Sequence, residues 1–182
     1  MSRARRAKSD AEDGSLAQRV IGIAGWKNSG KTTLTERLVA ELSARGWSVS
    51  TVKRAHHEAD IDREGTDSFR HRSAGASEVM LVTPLRWALM HELREEPEPD
   101  LEAMLARLSP CDLVIVEGYK GTPHPKIETR RIEAKDQTPL PASSNVIAIA
   151  ADHAIADAAV PVFELDAVPA IADFVEAVTD LR

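Results

Sequence analysis

Residues 25–32 read Gly25-Trp26-Lys27-Asn28-Ser29-Gly30-Lys31-Thr32, and this octapeptide decides the predicted fold. It fills every fixed position of the phosphate-loop pattern G-x-x-x-x-G-K-[ST]. The glycines let the backbone fold closely around a phosphate, whose charge is met by backbone N–H groups and the positive end of the next helix dipole. We therefore expect the octapeptide to bind nucleotide phosphates, with Lys31 reaching the β- and γ-phosphates and the Thr32 hydroxyl binding Mg²⁺.

The segments on both sides of this loop predict an α/β fold. Val20 to Ala24 is a short apolar run typical of a strand buried on both faces. Apolar residues recur at helical spacing over 31–45, and Gly46 marks the end of that helix. Further elements alternate along the chain, with strands expected at 47–52, 79–82, 87–90, 112–116, 126–132 and 145–150, and helices at 66–75, 100–108 and 171–181. We predict a P-loop NTPase-type three-layer fold, with a mostly parallel central sheet and helices on both faces.

Length and composition limit the domain organisation and the location. The 182 residues favour one domain. Residues 1–18 are polar and charged, so we expect a disordered tail followed by a single nucleotide-binding domain over 19–182. The longest apolar runs, such as residues 113–116, are far shorter than the roughly 18 residues that span a bilayer. A secretory signal requires an apolar segment after its basic residues, and no such segment follows the basic residues 3–8. These features predict a cytoplasmic protein without a membrane partner.

Charge and cysteine content argue against two other classes of protein. The net charge is −6 and aromatic residues make up 4% of the chain. A nucleic-acid-binding protein usually carries a basic surface interleaved with aromatic side chains, so nucleic acid is not expected as a partner. The single cysteine, Cys111, excludes an intramolecular disulfide scaffold.

A hydrophobic stretch over residues 112–116 ends in a carboxylate, Glu117, which is followed by Gly118. In nucleotide-binding P-loop domains, a strand near the first one delivers such an acid toward the Mg²⁺ ion or the attacking water. Glu117 is therefore a candidate metal-site residue and a candidate catalytic base. The alternative is a carboxylate that merely stands at an exposed strand end.

A polar loop at 53–65 follows the second predicted strand. Its carboxylates Asp60 and Asp62 are candidates to hold Mg²⁺ through water, and Asp60 is also a candidate catalytic residue. The adjacent His56 and His57 lack the spacing of strong zinc motifs, so they indicate a transition-metal site only weakly. A solvated connection that binds nothing explains this loop equally well.

Several segments in a fixed order resemble the molybdopterin-guanine dinucleotide biosynthesis protein B family over about residues 20–180. The phosphate loop is generic, whereas the combination of the other segments is specific to that family. The matching segments are residues 25–33 (GWKNSGKTT), Lys53 with His56 and His57, Asp60 and Asp62, 65–68 (GTDS), 74–76 (AGA), 86–90 (RWALM), 116–120 (VEGYK) and 125–127 (PKI).

This resemblance implies a homodimeric P-loop protein that binds GTP and Mg²⁺. It implies an adaptor that assists a partner guanylyltransferase, the family's protein A, in attaching GMP to molybdopterin, with at most weak GTPase activity of its own. By the same match, residues Gly25 to Thr33 correspond to the phosphate site, and Thr32 and Glu117 to the metal site. The other residues that carry over, as pocket residues, are His56, Asp60, Asp67, Arg86 and Lys120.

Two features depart from what such a match would contain. The chain has no Asn-Lys-x-Asp tetrapeptide for guanine. The nearest substitute is Asp152, just beyond the apolar run 145–150, where a carboxylate would accept hydrogen bonds from guanine N1 and N2. Lys27 stands one residue later than the extra signature lysine of related dimeric ATPases, which argues against an intersubunit catalytic role for it.

Two other functions fit parts of the sequence. A small-molecule P-loop kinase would hold its acceptor near His56, Arg86 and Arg130, but such kinases close a basic lid over the phosphates. The chain offers only isolated pairs such as Arg130-Arg131 for that purpose. A metal-insertion GTPase would use His56 and His57 and would bind a transition metal tightly.

Overall fold

The computed structural model of this protein describes residues 18–55 and 62–181. The predicted tail therefore lies almost entirely outside the described residues, as do His56, His57 and Asp60. The chain divides into two compact units, one formed by residues up to Arg54 and from Leu105 onward, the other by Ala55–Met104. The single nucleotide-binding domain over 19–182 stays a prediction, and the two units are described separately.

Within the described residues, eight strands and four α-helices follow one another. They are β1 (Val20–Ala24), α1 (Lys31–Ala44), β2 (Val49–Lys53), α2 (Asp67–Ser73), β3 (Glu78–Val82), β4 (Trp87–His91), α3 (Leu101–Leu105), β5 (Leu113–Glu117), β6 (Lys126–Arg130), β7 (Val146–Ala151), β8 (Val162–Glu164) and α4 (Val168–Val178). A short 3-10 helix, Ala142–Ser144, precedes β7.

The first unit is built on a six-stranded sheet in the order β2-β5-β1-β6-β7-β8. Every neighbouring pair in it is parallel, so the carboxyl ends of all six strands lie along one edge. The strand β1 is central, with β5 on one side and β6 on the other. This arrangement confirms the α/β prediction of a mostly parallel sheet, and it places the segments that follow β1, β5 and β6 close together.

The hydrophobic core of this unit lies between the sheet, α1 and α4. Leu34, Leu38 and Leu42 recur every four residues on α1 and are at most 1% exposed. They pack with Ile21 and Ile23 of β1 and with the buried residues of α4. Burying each of these large aliphatic side chains is worth about 1.5–3 kcal/mol, so α1 is held firmly behind the loop that precedes it.

The second unit contains α2 and an antiparallel hairpin of β3 and β4. The Thr66 hydroxyl caps α2 by accepting a hydrogen bond from the N–H of Phe69. On one face of the hairpin, the cross-strand partners Val79 and Met90 are buried. The other face carries four exposed apolar side chains, at Met80, Val82, Trp87 and Leu89.

Several elements differ from the prediction, and three of the differences have a simple local reason. The helix expected over 100–108 is only Leu101–Leu105, and Pro110 follows soon after it. The final helix begins at Val168 rather than 171, because Pro169 is well suited to a first helical turn. The strand β8 was not predicted, since three residues are too few to show a period. None of the helices within residues 18–55 and 62–181 is long and apolar enough to cross a membrane.

Candidate functional site

The loop between β1 and α1 has a backbone that its glycines permit. Gly25 has φ 152°, and a Cβ there would lie 2.4 Å from Ser29 Oγ and 2.6 Å from the Thr129 carbonyl oxygen. Gly30 has φ 94° and forms the N-cap of α1. Because glycine has no side chain, it leaves the N–H groups of the first helical turn open to an anion.

Two buried hydroxyl groups fix this loop to the neighbouring strand β6. Ser29 Oγ lies 2.8 Å from Thr129 Oγ1, which also donates to the carbonyl oxygen of Ala24 at 3.2 Å. Ser29 and Thr129 are at most 2% exposed. A buried polar group left unpaired costs about 1–3 kcal/mol, so this pair holds the loop in one conformation before any ligand binds.

Lys31 brings a positive charge into the loop. Its ammonium donates to the carbonyl oxygen of Trp26 at 2.6 Å and is about half-buried. Burial lowers the pKa of Lys31, Glu117 opposes that change, and the charges of Lys120 and Lys53 add to it. A cation surrounded by other cations and by helix N–H groups is an environment that favours a polyanionic ligand.

The Thr32 hydroxyl and the Glu117 carboxylate meet at the carboxyl ends of β1 and β5. Thr32 Oγ1 donates to Glu117 Oε1 at 3.0 Å. Glu117 is only 6% exposed. Hydroxyl and carboxylate oxygens are hard ligands, and Mg²⁺ typically takes one or two protein groups together with substrate phosphates and water. The two residues therefore fit a magnesium ion that a nucleotide would share.

Lys53 completes this group from the end of β2, where it stands opposite Glu117 in the strand register. Its Nζ lies 3.3 Å from Glu117 Oε1 and donates to Thr32 Oγ1 at 3.3 Å. Lys53 was not predicted to be a site residue; it belongs only to the segments that resemble the family. The available signal was its position as the last residue of a strand that runs parallel to the others.

A cavity of about 420 Å³ opens over the loop and the start of α1. Besides Lys31, Thr32 and Glu117, Arg131 contributes to its wall; the other lining residues are Lys27, Asn28, Gly30 and Thr33. Except for Arg131, all of these belong to the predicted site. The structure thus brings most of the predicted phosphate and metal residues together around one space.

Trp26 connects the loop to the segments that follow β5 and β6. The Lys120 ammonium lies 3.7 Å from the centre of the Trp26 ring, and the indole N–H donates to the Thr138 carbonyl oxygen at 2.6 Å. Burial lowers the pKa of Lys120, while Asp136 and Glu128 oppose that change. Lys120, a pocket residue by resemblance, is therefore a direct neighbour of the phosphate loop.

Asp152 begins the segment after β7, and its carboxylate already has protein partners. Oδ1 accepts from the backbone N–H of Ile132 at 2.8 Å and lies 2.9 Å from His153 Nδ1. Oδ2 lies 3.5 Å from Nε of Arg131. The hydrogen bond from His153 is the main cause that lowers the pKa of Asp152, so the group is an anion at neutral pH. Recognition of guanine by Asp152 stays a prediction.

Three other predicted residues lie in the second unit. Asp67 lines a separate cavity of about 540 Å³ together with other residues of α2. Arg86 stands at the hairpin turn, where its carbonyl oxygen accepts from the N–H of Thr83. Asp62 accepts hydrogen bonds from Thr66, Ser68 and Arg72, so it organises the start of α2. Among the described residues, no group of three or more His, Cys, Asp or Glu side chains could hold a metal ion.

The central strand, the loop that leads into α1 and the acid on the adjacent strand together define an α/β protein of the P-loop NTPase-like class. Residues 20–152 match the profile of the family described as "MobB: Molybdopterin guanine dinucleotide synthesis protein B". The chain therefore belongs to the MobB family.

Individual relatives agree with this assignment. A molybdopterin-guanine dinucleotide biosynthesis adapter protein of Haemophilus influenzae is 40% identical over 158 residues, which cover 86% of this chain and 87% of the relative. The adapter protein of the same name from Escherichia coli K12 is 36% identical, over 86% of this chain and 90% of its own. A crystal structure of molybdopterin-guanine biosynthesis protein B is 28% identical and superposes with a TM-score of 0.70, covering 88% of this chain and 99% of that one.

Proposed function

We propose that this protein binds GTP with Mg²⁺ and acts as an adapter in the synthesis of molybdopterin guanine dinucleotide. The observation that carries the nucleotide part is the joint placement of Lys31, Thr32 and Glu117 around one cavity. Lys31 and the helix N–H groups would bind the phosphates, and Thr32 with Glu117 would hold the magnesium ion. The adapter role rests on membership of the MobB family and on the names of its relatives.

The partner in this proposal is the guanylyltransferase that joins GMP to molybdopterin in the cytoplasm, and molybdopterin itself is a possible second ligand. Catalysis by the adapter alone would be slow, because a GTPase needs a group that positions the attacking water.

The kinase alternative gains no support from Arg130. Its guanidinium is bonded to Glu128 at 2.8 Å, and its side chain is 15% exposed, which is unlike a mobile lid.

Nucleotide preference tests this proposal. We expect isothermal titration with Mg²⁺ to show GTP binding at least about tenfold more tightly than ATP, about 1.4 kcal/mol. We also expect turnover of GTP alone to stay below about 1 s⁻¹, the lower end of the usual enzyme range. Addition of the chain to a purified guanylyltransferase should raise the yield of molybdopterin guanine dinucleotide. Equal or tighter ATP binding, or no effect on the guanylyltransferase, would contradict the proposal.

We further propose that the partner set includes a second copy of this chain, bound through the exposed face of the hairpin. Met80 is 58% exposed, Val82 68%, Trp87 64% and Leu89 38%. Together they present roughly 450 Å² of apolar surface, within the range of the largest patches on monomers, which are often functional. That is more than half of the ~800 Å² that each partner contributes to a standard interface. Because a twofold axis pairs a face with itself, this mostly apolar face suits a homodimer.

Substitution of Val82 by aspartate is expected to convert the dimer to a monomer. The change would bury a carboxylate from each copy in an apolar interface, which is costly when no partner charge is present. Light scattering after gel filtration measures the mass. Ile132→Asp is a matched control, because Ile132 is also 68% exposed but lies in the other unit. A monomeric wild type, or equal masses for both variants, would contradict a dimer formed through the hairpin.

A further inference from the structure

Arg131 lies against the phosphate loop, although no sequence signal assigned it a role there. A Cβ placed on Gly30 would be 3.3 Å from Cδ and 3.6 Å from Cγ of Arg131. The aliphatic part of Arg131 therefore covers the backbone at the start of α1. Its side chain is 45% exposed and contributes to the wall of the cavity over the loop.

The backbone of Arg131 is fixed by a turn that follows β6. Its carbonyl oxygen accepts from the N–H of Ala134 at 2.9 Å and from the side-chain amide of Gln137 at 2.7 Å. The next N–H, of Ile132, donates to Asp152. The backbone from which the Arg131 side chain extends is thus preorganised, which lowers the entropy lost when the guanidinium binds a ligand.

The guanidinium is held only weakly. Its Nε lies 3.5 Å from Asp152 Oδ2, and an ion pair with this exposure contributes little to stability. A phosphate offers a guanidinium a stronger, bidentate set of acceptors than a carboxylate at 3.5 Å. The arrangement therefore keeps the cation near the cavity and leaves it free to turn toward an anion.

The order of the strands gives the end of the nucleotide that Arg131 would meet. Glu117 ends β5 on one side of β1, whereas Arg131 follows β6 on the other side. The metal ion bridges the β- and γ-phosphates in P-loop proteins, so the Glu117 side corresponds to the terminal phosphates. The side of Arg131 then corresponds to the start of the phosphate chain, next to the nucleoside.

We propose that Arg131 binds the α-phosphate of the nucleotide and that Asp152 is a positioning residue for its guanidinium. This inference rests on the proposed function, since it requires a nucleotide in the loop. Asp152 suits the role because its Oδ1 is fixed by Ile132 and His153, which aims Oδ2 at Arg131. The sequence prediction for Asp152, a contact to guanine, makes a different and measurable claim.

Titration of GTP, GDP and inorganic tripolyphosphate into Arg131→Ala, with Mg²⁺ present, tests the α-phosphate contact. We expect each of the three to bind about tenfold more weakly than to the wild type, and Arg131→Lys to recover only part of the loss. Arg37→Ala is the matched control: Arg37 is 47% exposed and pairs with Asp166, away from the cavity. Unchanged GTP affinity in Arg131→Ala would overturn the inference. Unchanged tripolyphosphate affinity would indicate that Arg131 contacts the nucleoside, and it would overturn the α-phosphate assignment.

A double-mutant cycle with Asp152→Asn tests the positioning role. We expect Asp152→Asn to weaken GTP and ATP by the same few-fold factor, and to have no effect once Arg131 is alanine. If Asp152→Asn changes the ratio of the GTP affinity to the ATP affinity, and this change persists in the Arg131→Ala background, Asp152 contacts the guanine base. That outcome would overturn the positioning role. Failure of the wild type to bind any nucleotide would instead contradict the proposed function, so the two failures are distinguishable.

Discussion

Lys31→Ala is expected to lower the affinity for Mg²⁺-GTP by about a hundredfold or more, which corresponds to about 2.7 kcal/mol. In the structure the Lys31 ammonium is half-buried and donates a hydrogen bond to the Trp26 carbonyl oxygen. A ligand phosphate is a better acceptor than that carbonyl oxygen, because the resulting hydrogen bond joins opposite charges. The alanine variant would lose this bond and leave the phosphates near Glu117 without their nearest compensating cation.

Lys27→Ala is the control for this experiment. Lys27 also lines the cavity, but its side chain is exposed, so its charge is screened by water. We expect this variant to lose no more than about threefold in affinity, because solvent-exposed charges contribute little free energy to such interactions. Thermal unfolding of both variants should resemble the wild type, since neither side chain supports the core. Equal losses in the two variants would show that general positive charge, rather than Lys31 in the loop, accounts for binding.

Parts of this site were accessible from the sequence because local patterns determine them. The loop from Gly25 to Thr32 and the strand that ends at Glu117 both have strong local signatures. Parallel strands present their carboxyl ends at one edge, so the two segments had to meet once the fold class was correct. The 3.0 Å contact between Thr32 and Glu117 bears out that inference.

Residues whose placement depends on strand order were missed. Lys53 reaches Glu117 only because β2 lies beside β5, and Arg131 reaches Gly30 only because β6 lies beside β1. Nothing in the composition of the surrounding segments distinguishes these residues from other surface cations. The two strands of the hairpin were predicted from their apolar runs, but such runs do not show which face remains exposed. In the structure, the side chains of Val82 and Trp87 are exposed on the face opposite Val79.

Glu117→Gln is expected to change the affinity for GTP in opposite directions with and without magnesium. With Mg²⁺, the affinity for GTP should fall about tenfold, because an amide is a weaker ligand than a carboxylate for a hard cation. Without Mg²⁺, the same variant should bind GTP about threefold more tightly than the wild type. The variant removes a negative charge that repels the phosphates. It also removes the anionic partner of Lys53, whose ammonium lies 3.3 Å from Glu117 Oε1 in the wild type.

Titrations with Mg²⁺ and with EDTA in place of Mg²⁺ separate these two effects, and Glu128→Gln serves as the control. Glu128 is a glutamate of similar burial, 2% exposed, which accepts from Arg130 and from the N–H of Leu140 and is not part of the cavity wall. We expect it to leave the ratio of the two affinities unchanged. A purely structural role for Glu117 would weaken binding under both conditions alike. Opposite changes under the two conditions require a carboxylate that faces both the metal ion and the phosphates, which is the arrangement that Thr32, Lys53 and Glu117 form at the edge of the sheet.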